Sequence, residues 1–115
     1  METLTMKDFI ILAKNGSKEQ IKLDYNVLRK AVMVLRSVNH KLRQSIIQLL
    51  EEHGRLTVTE IYVKLRLEQS VASQHLAILR RVGVVNTERE GKFIYYSVNR
   101  NRIAEISSFV EELTK

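Results

Sequence analysis

Residues 70–98, SVASQHLAILRRVGVVNTEREGKFIYYSV, change their apolar period once, and that change decides the architecture. Up to Val82 the apolar residues Ala72, Leu76 and Leu79 recur at helical spacing. Gly83 interrupts the pattern. Beyond it, VVNTERE and FIYYSV are short runs rich in β-branched and aromatic residues, with a period of two. Glu90-Gly91-Lys92 joins these runs, so the stretch reads as a helix over 70–82 followed by a strand–turn–strand hairpin with glycine in its turn.

Upstream, Thr57-Val58-Thr59-Glu60 places Thr and Glu three apart, the capping-box spacing that opens a helix. That short helix turns Val58, Ile61, Tyr62 and Leu65 inward, and only residues 66–69 separate it from the helix at Ser70. Two short helices joined this tightly cross steeply, the helix-turn-helix arrangement. Earlier still, Asn39 is the expected cap of HKLRQSIIQLLEEHG, striped by Leu42, Ile46, Leu49 and Leu50 and stopped by Gly54.

Asp24 caps DYNVLRKAVMVLRSV, which is apolar on two faces: Tyr25, Leu28, Val32 and Leu35 on one, Val27, Ala31, Val34 and Val38 on the other. A helix of this kind is covered on both sides, and in so short a chain a second copy is the natural source of one cover. Downstream of the hairpin, Asn99 caps RNRIAEISSFVEELTK, with Ile103, Ile106, Val110 and Leu113 on one stripe and Phe109 beside it. At the other end, residues 4–13, LTMKDFIILA, are expected to form a short helix ended by Asn15-Gly16-Ser17, with a polar linker over 14–23.

The expected fold class is therefore mainly α with a small β-hairpin: a winged helix-turn-helix, dimerising through the first core helix and the C-terminal helix. Residues 1–23 form an N-terminal extension and residues 24–115 the DNA-binding and dimerisation domain. The dimer candidates are Tyr25, Leu28, Val32, Leu35, Ile103, Ile106, Phe109, Val110 and Leu113.

Composition narrows the function. A chain of 115 residues is about one domain, and 44% hydrophobic with 28% charged residues is ordinary globular usage. Proline is absent, which suits a helix-rich chain. The absence of cysteine excludes disulfides and thiolate chemistry and fits a cytoplasmic location. No apolar run is long enough to span a membrane, and the N-terminus, where acidic Glu2 and Asp8 precede a short apolar run, does not read as a signal peptide.

The formal charge of +6 draws the protein toward polyanions. From Arg66 to Arg102 there are seven basic residues (Arg66, Arg80, Arg81, Arg89, Lys92, Arg100, Arg102) against three acidic ones (Glu68, Glu88, Glu90), so four of the six excess charges lie there.

The helix at 70–82 carries Ser70, Ser73, Gln74, Ala77 and Arg81 opposite its inward stripe. A major groove admits a helix whose outer face is small and bears donors and acceptors, and Gln74 is suited to a bidentate pair with adenine. Gln69 and Ser70 lie at the helix N-terminus, where free amides favour phosphate. Arg80 and Arg81 end the helix, and Arg89 and Lys92 flank the Gly91 turn as the tip of a wing. His75 sits beside the inward stripe, where packing against a neighbouring element competes with a base contact. The candidate DNA-binding set is Gln69, Ser70, Ser73, Gln74, His75, Arg80, Arg81, Arg89 and Lys92.

An enzyme reading finds no nucleophile with a base, no phosphate-binding glycine loop and no spaced carboxylate pair. No metal ligand set is spaced for coordination. His40 and His53 are 13 residues apart, about 20 Å along one helix. No cofactor is expected.

The run from Ser70 to Val98, followed by a terminal helix, resembles the ArsR/SmtB family of small winged-helix repressors. Its marks here are Ser70-x-x-Ser73-x-His75-Leu76, Leu79-Arg80-x-x-Gly83-Val84-Val85 and Glu90-Gly91-Lys92-x-x-x-Tyr96. Asn39-His40-Lys41-Leu42-Arg43-x-x-Ile46 falls where that family usually has a proline before its arginine, which this chain lacks. The resemblance covers residues 24–113 and implies a homodimer on an inverted-repeat operator, with repression relieved by an inducer.

The family's metal site uses a Cys-x-Cys pair on the helix before the turn, where this chain has Thr59-Glu60-Ile61-Tyr62-Val63-Lys64. The alternative terminal-helix site needs histidines that residues 100–115 lack, so metal response is not expected. The partners expected are double-stranded DNA, a second copy of the chain and an unidentified small-molecule or protein effector. The competing reading is a winged-helix protein–protein interaction module that meets an acidic partner without specific DNA binding.

Overall fold

The interruption at Gly83 is realised as a helix-to-strand transition, and much of the domain is arranged around it. The computed structural model describes residues 8–13 and 20–115, which divide into two compact units, Met1–Val34 and Leu35–Lys115. This division falls later in the chain than the boundary expected at residue 24.

In the first unit, β1 (Phe9–Ala13) and β2 (Gln20–Asp24) form an antiparallel hairpin, with Ile10 opposite Leu23 and Leu12 opposite Ile21. This corrects the expected short helix over 4–13 and the linker over 14–23. Residues 4–7 and 14–19 lie outside the described residues. The physical reason is that a five-residue apolar run carries no decisive period, and Phe9-Ile10-Ile11 has strand-favouring shapes. The alternating Gln20-Ile21-Lys22-Leu23 then supplies a pairing partner. The helix α1 (Tyr25–Val38) follows, and Asp24 caps it as expected: its Oδ1 accepts from the Asn26 amide at 2.8 Å.

In the second unit come α2 (Lys41–His53), β3 (Leu56–Thr57), α3 (Val58–Leu65), α4 (Gln69–Arg81), β4 (Val85–Glu90), β5 (Phe93–Val98) and α5 (Arg100–Leu113). The strands form an antiparallel sheet in the order β3-β5-β4. The two-residue β3 is an addition to the expected hairpin, since nothing so short leaves a periodic signal. The core is Ile46, Leu50, Leu56, Ile61, Leu76, Leu79, Val84 and Val85, all buried, with the small Ala72 fully enclosed beside them.

The caps explain the helix ends. Thr57 Oγ1 accepts from the Glu60 amide at 3.2 Å and the Glu60 carboxylate accepts from the Thr57 amide at 2.9 Å, completing the capping box. The α2 cap is His40 rather than Asn39: its Nδ1 accepts from the Arg43 amide, so the helix starts one residue later than expected. Gly54 (φ 85°) ends that helix, its amide donating to Leu50 O at 2.8 Å. Asn99 Oδ1 caps α5 while its Nδ2 donates to Gly83 O at 2.9 Å, fixing the start of the last helix to the end of α4.

Candidate DNA-binding surface

The turn of the helix-turn-helix is closed by backbone geometry. Arg66 ends α3 in the left-handed region, φ 55°, the single described non-glycine residue there. The Leu67 amide donates to Tyr62 O at 2.9 Å and the Arg66 amide to Val63 O at 3.3 Å, the paired bonds of a Schellman turn. Glycine usually occupies such a site, and this is why the turn left no clear mark in the sequence. Arg66 keeps an exposed cation there.

From this turn α4 runs with Ala72, Leu76 and Leu79 buried and Ser70, Ser73, Gln74, Ala77, Arg80 and Arg81 exposed. Gln69 opens the helix and is also exposed. Unlike α2, α3 and α5, this helix has no side-chain cap: Glu68 stands at its N-cap and accepts none of the first amides. Among the described residues, the side chains of Ser70, Ser73 and Gln74 have no hydrogen-bond partner, so their donors and acceptors stay available to a ligand.

His75 is held apart from that set. It is half-buried, its Nδ1 lies 3.1 Å from Arg43 Nη1, and its ring sits 5.0 Å from that of His40. An arginine only donates, so Nδ1 accepts and the ring proton resides on Nε2. Burial, then the neighbouring His40 and Arg43, push the His75 pKa below its ordinary value. Arg43 also donates from Nε to Ser37 O at 2.6 Å. This one side chain thus fastens the end of α1 and the start of α2 to the inner side of α4, and His75 seats that helix. Sequence reasoning missed this role of Arg43, because a cation in the first turn of α2 resembled a solvated charge.

The wing is the β4–β5 hairpin, closed by Gly91 (φ 61°) and Lys92 between Glu90 and Phe93. Arg89 and Lys92 are exposed at its tip. Lys92 Nζ lies 5.4 Å from the Phe93 ring centroid, and Arg89 Nε donates to Gly91 O at 3.3 Å. Two cations counted toward the basic segment have other roles: Arg100 pairs with Glu51, and Arg102 donates to Val82 O at 3.1 Å and pairs with Glu105. The basic residues left are Arg66 in the turn, Arg80 and Arg81 on α4, and Arg89 and Lys92 on the wing.

A small-faced helix seated on a capped partner and followed by a basic hairpin is the winged helix-turn-helix, and comparison with known proteins agrees. The family model described as "Bacterial regulatory protein, arsR family" matches residues 40–87. The transcriptional repressor PagR of Bacillus anthracis is 36% identical over 85 residues, 74% of this chain and 85% of PagR. The chain belongs to the arsR family of bacterial regulatory proteins. The transcriptional activator HlyU of Vibrio cholerae is 34% identical over 84 residues, covering 73% of this arsR-family chain and 77% of HlyU. The crystal structure of PagR superposes with a TM-score of 0.60 at 33% identity, over 78% of this chain and 99% of that one. A more distant relative, named a cadmium resistance regulatory protein CadC homolog, from Staphylococcus aureus, is 26% identical over 104 residues, 90% of this chain and 81% of its own.

As an arsR-family member the chain is a DNA-binding transcriptional regulator and not an enzyme. Among the described residues no helix is long and apolar enough to cross a membrane, and no group of three or more His, Asp or Glu is placed to hold a metal ion.

Proposed function

We propose that this regulator is a cytoplasmic repressor that binds an inverted-repeat operator as a homodimer and responds to a signal other than a metal ion. The observation that carries the reading is the outward face of α4, where Ser70, Ser73, Gln74 and Ala77 combine small size with unused hydrogen-bonding groups beside the basic wing tip. Gln69, Ser70, Arg80, Arg81, Arg89 and Lys92 are assigned to phosphates, which position the protein. Ser73 and Gln74 are assigned to base edges, which specify the site. His75 supports the helix from behind.

The dimer assignment rests on exposed apolar side chains. On α1, Leu28 and Val32 are exposed and Tyr25 and Leu35 half-covered; on α5, Phe109 is 48% and Leu113 65% exposed, with Val110 exposed beside them. Ile103 and Ile106 pack against the core of their own chain and contribute an edge. A second copy covering both faces places two α4 helices on half-sites one DNA turn apart, about 34–36 Å. Repression follows the family resemblance and PagR, a relative of that name.

Independence from metal rests on the donor set, which contains no thiolate. Because one relative is named for cadmium resistance, the assay is run with and without cadmium and zinc. The test is selection from a randomised duplex pool at physiological salt, followed by a promoter-reporter assay. Enrichment of an inverted repeat that lowers reporter output, unchanged by either metal, is the expected result. No enrichment from an intact dimer refutes the reading and favours a protein-interaction module; enrichment with metal-dependent release refutes the metal clause alone.

A further inference from the structure

The wing carries an internal conflict of charge. Between Val85 and Val98 it holds Glu88 and Glu90 as well as Arg89 and Lys92, so its own side chains sum to zero. Carboxylates here oppose approach to a phosphate backbone as strongly as the cations favour it. The cross-strand register sorts them: Glu88 lies opposite Tyr95 and Glu90 opposite Phe93, while Arg89 lies opposite Ile94. Residues directly opposite share a face, so both carboxylates fall on the Tyr95 face and Arg89 on the other.

Arg55 occupies the Tyr95 face. It immediately precedes β3, which pairs with β5 at the sheet's far edge from β4. Its side chain crosses β5, with the guanidinium carbon 4.2 Å from the Tyr95 ring centroid. It then reaches β4, where Nη1 lies 3.0 Å from Glu88 Oε1 and 2.7 Å from Glu90 Oε2, and Nη2 lies 3.1 Å from Glu90 Oε1. The hydrogen bond from Arg55 holds the Glu90 carboxyl below the usual carboxylate range, so the pair stays ionised. With 42%, 68% and 54% of the three side chains exposed, such pairs add little to stability, and their use lies elsewhere.

We infer that Arg55 is a positioning residue for DNA binding: from the side, its single charge offsets one of the two carboxylate charges of Glu88 and Glu90, and so gives a wing that would otherwise sum to zero a net positive charge beside Arg89 and Lys92. The inference rests on the wing's belonging to the DNA surface. The experiment compares wild type, Arg55→Ala, Arg55→Gln, Lys92→Ala and the triple Arg55→Ala/Glu88→Gln/Glu90→Gln, on the selected duplex and an unrelated one, across a salt series.

Both Arg55 variants are expected to bind either duplex roughly three- to tenfold more weakly at low salt, with the deficit shrinking as salt rises. The triple variant is expected to bind at least as tightly as wild type, because both carboxylates are gone while Arg89 and Lys92 remain. A triple variant no tighter than Arg55→Ala means that Arg55 itself touches DNA and overturns the inference. Unchanged binding of the Arg55 variants alongside a weakened Lys92→Ala overturns it too. If Lys92→Ala is also unchanged, the wing lies outside the interface and the reading beneath falls with it. Thermal unfolding of each variant, expected within a degree or two of wild type, separates these outcomes from misfolding.

Discussion

Replacing Gln74 by alanine separates recognition from folding. The side chain is exposed on α4 and has no internal partner among the described residues, and alanine is the better helix former. The fold should therefore change by no more than about 0.5 kcal/mol. A bidentate amide–adenine pair contributes about 1–3 kcal/mol of discrimination. That is a factor of about 5 to 150 per half-site, and in a symmetric dimer the two factors multiply. The assay is competitive titration of the selected duplex against versions altered, one position at a time, in both half-sites. Wild type should show one position with a strong preference for adenine. Gln74→Ala should lose that preference there and keep it elsewhere, with an unchanged unfolding midpoint. If discrimination survives at every position, Gln74 does not read a base; if the midpoint falls by several degrees, the side chain has a structural role that the geometry does not reveal.

His75 sets a pH dependence. Burial and the flanking His40 and Arg43 lower its folded pKa, so the unfolded chain binds the proton more readily. Its stabilising contribution is full above the unfolded value of about 6.5 and is lost as pH falls below it. Urea unfolding from pH 7.5 to 5 should show wild type losing more stability than His75→Asn; parallel curves contradict this. Thr57→Ala removes one half of the capping box and should cost about 0.5–2 kcal/mol, measured by chemical denaturation, with no effect on base preference. Phe109→Glu places a charge in the proposed dimer face. Sedimentation should show a folded monomer that has lost operator affinity, whereas an unaltered dimer would remove α5 from the interface.

The elements from Asp24 onward were legible because their signals are local: caps at Asp24, Thr57 and Asn99, stops at Gly54 and Gly83, and a period that switches once. The outward face of α4 followed from the buried stripe of Ala72, Leu76 and Leu79, since fixing one side of a helix fixes the other. Long-range side-chain pairing left no comparable trace. Arg43 meets His75 from 32 residues away and Arg55 meets Glu90 from 35, and neither spacing carries a periodic signal. The N-terminal hairpin was misread for a related reason. A strand is confirmed by its partner, and the β1–β2 pairing makes sense only when both runs are considered together.

The most direct test of the central claim, that the face of α4 and the wing tip form the DNA surface, is amide NMR of the labelled protein titrated with its selected duplex. The largest shifts are predicted over residues 69–81 and 89–93, with those of α5 near Phe109 and of β1 and β2 small by comparison. Shifts concentrated on α5 or the N-terminal hairpin, with Ser73, Gln74 and Lys92 unmoved, would contradict it.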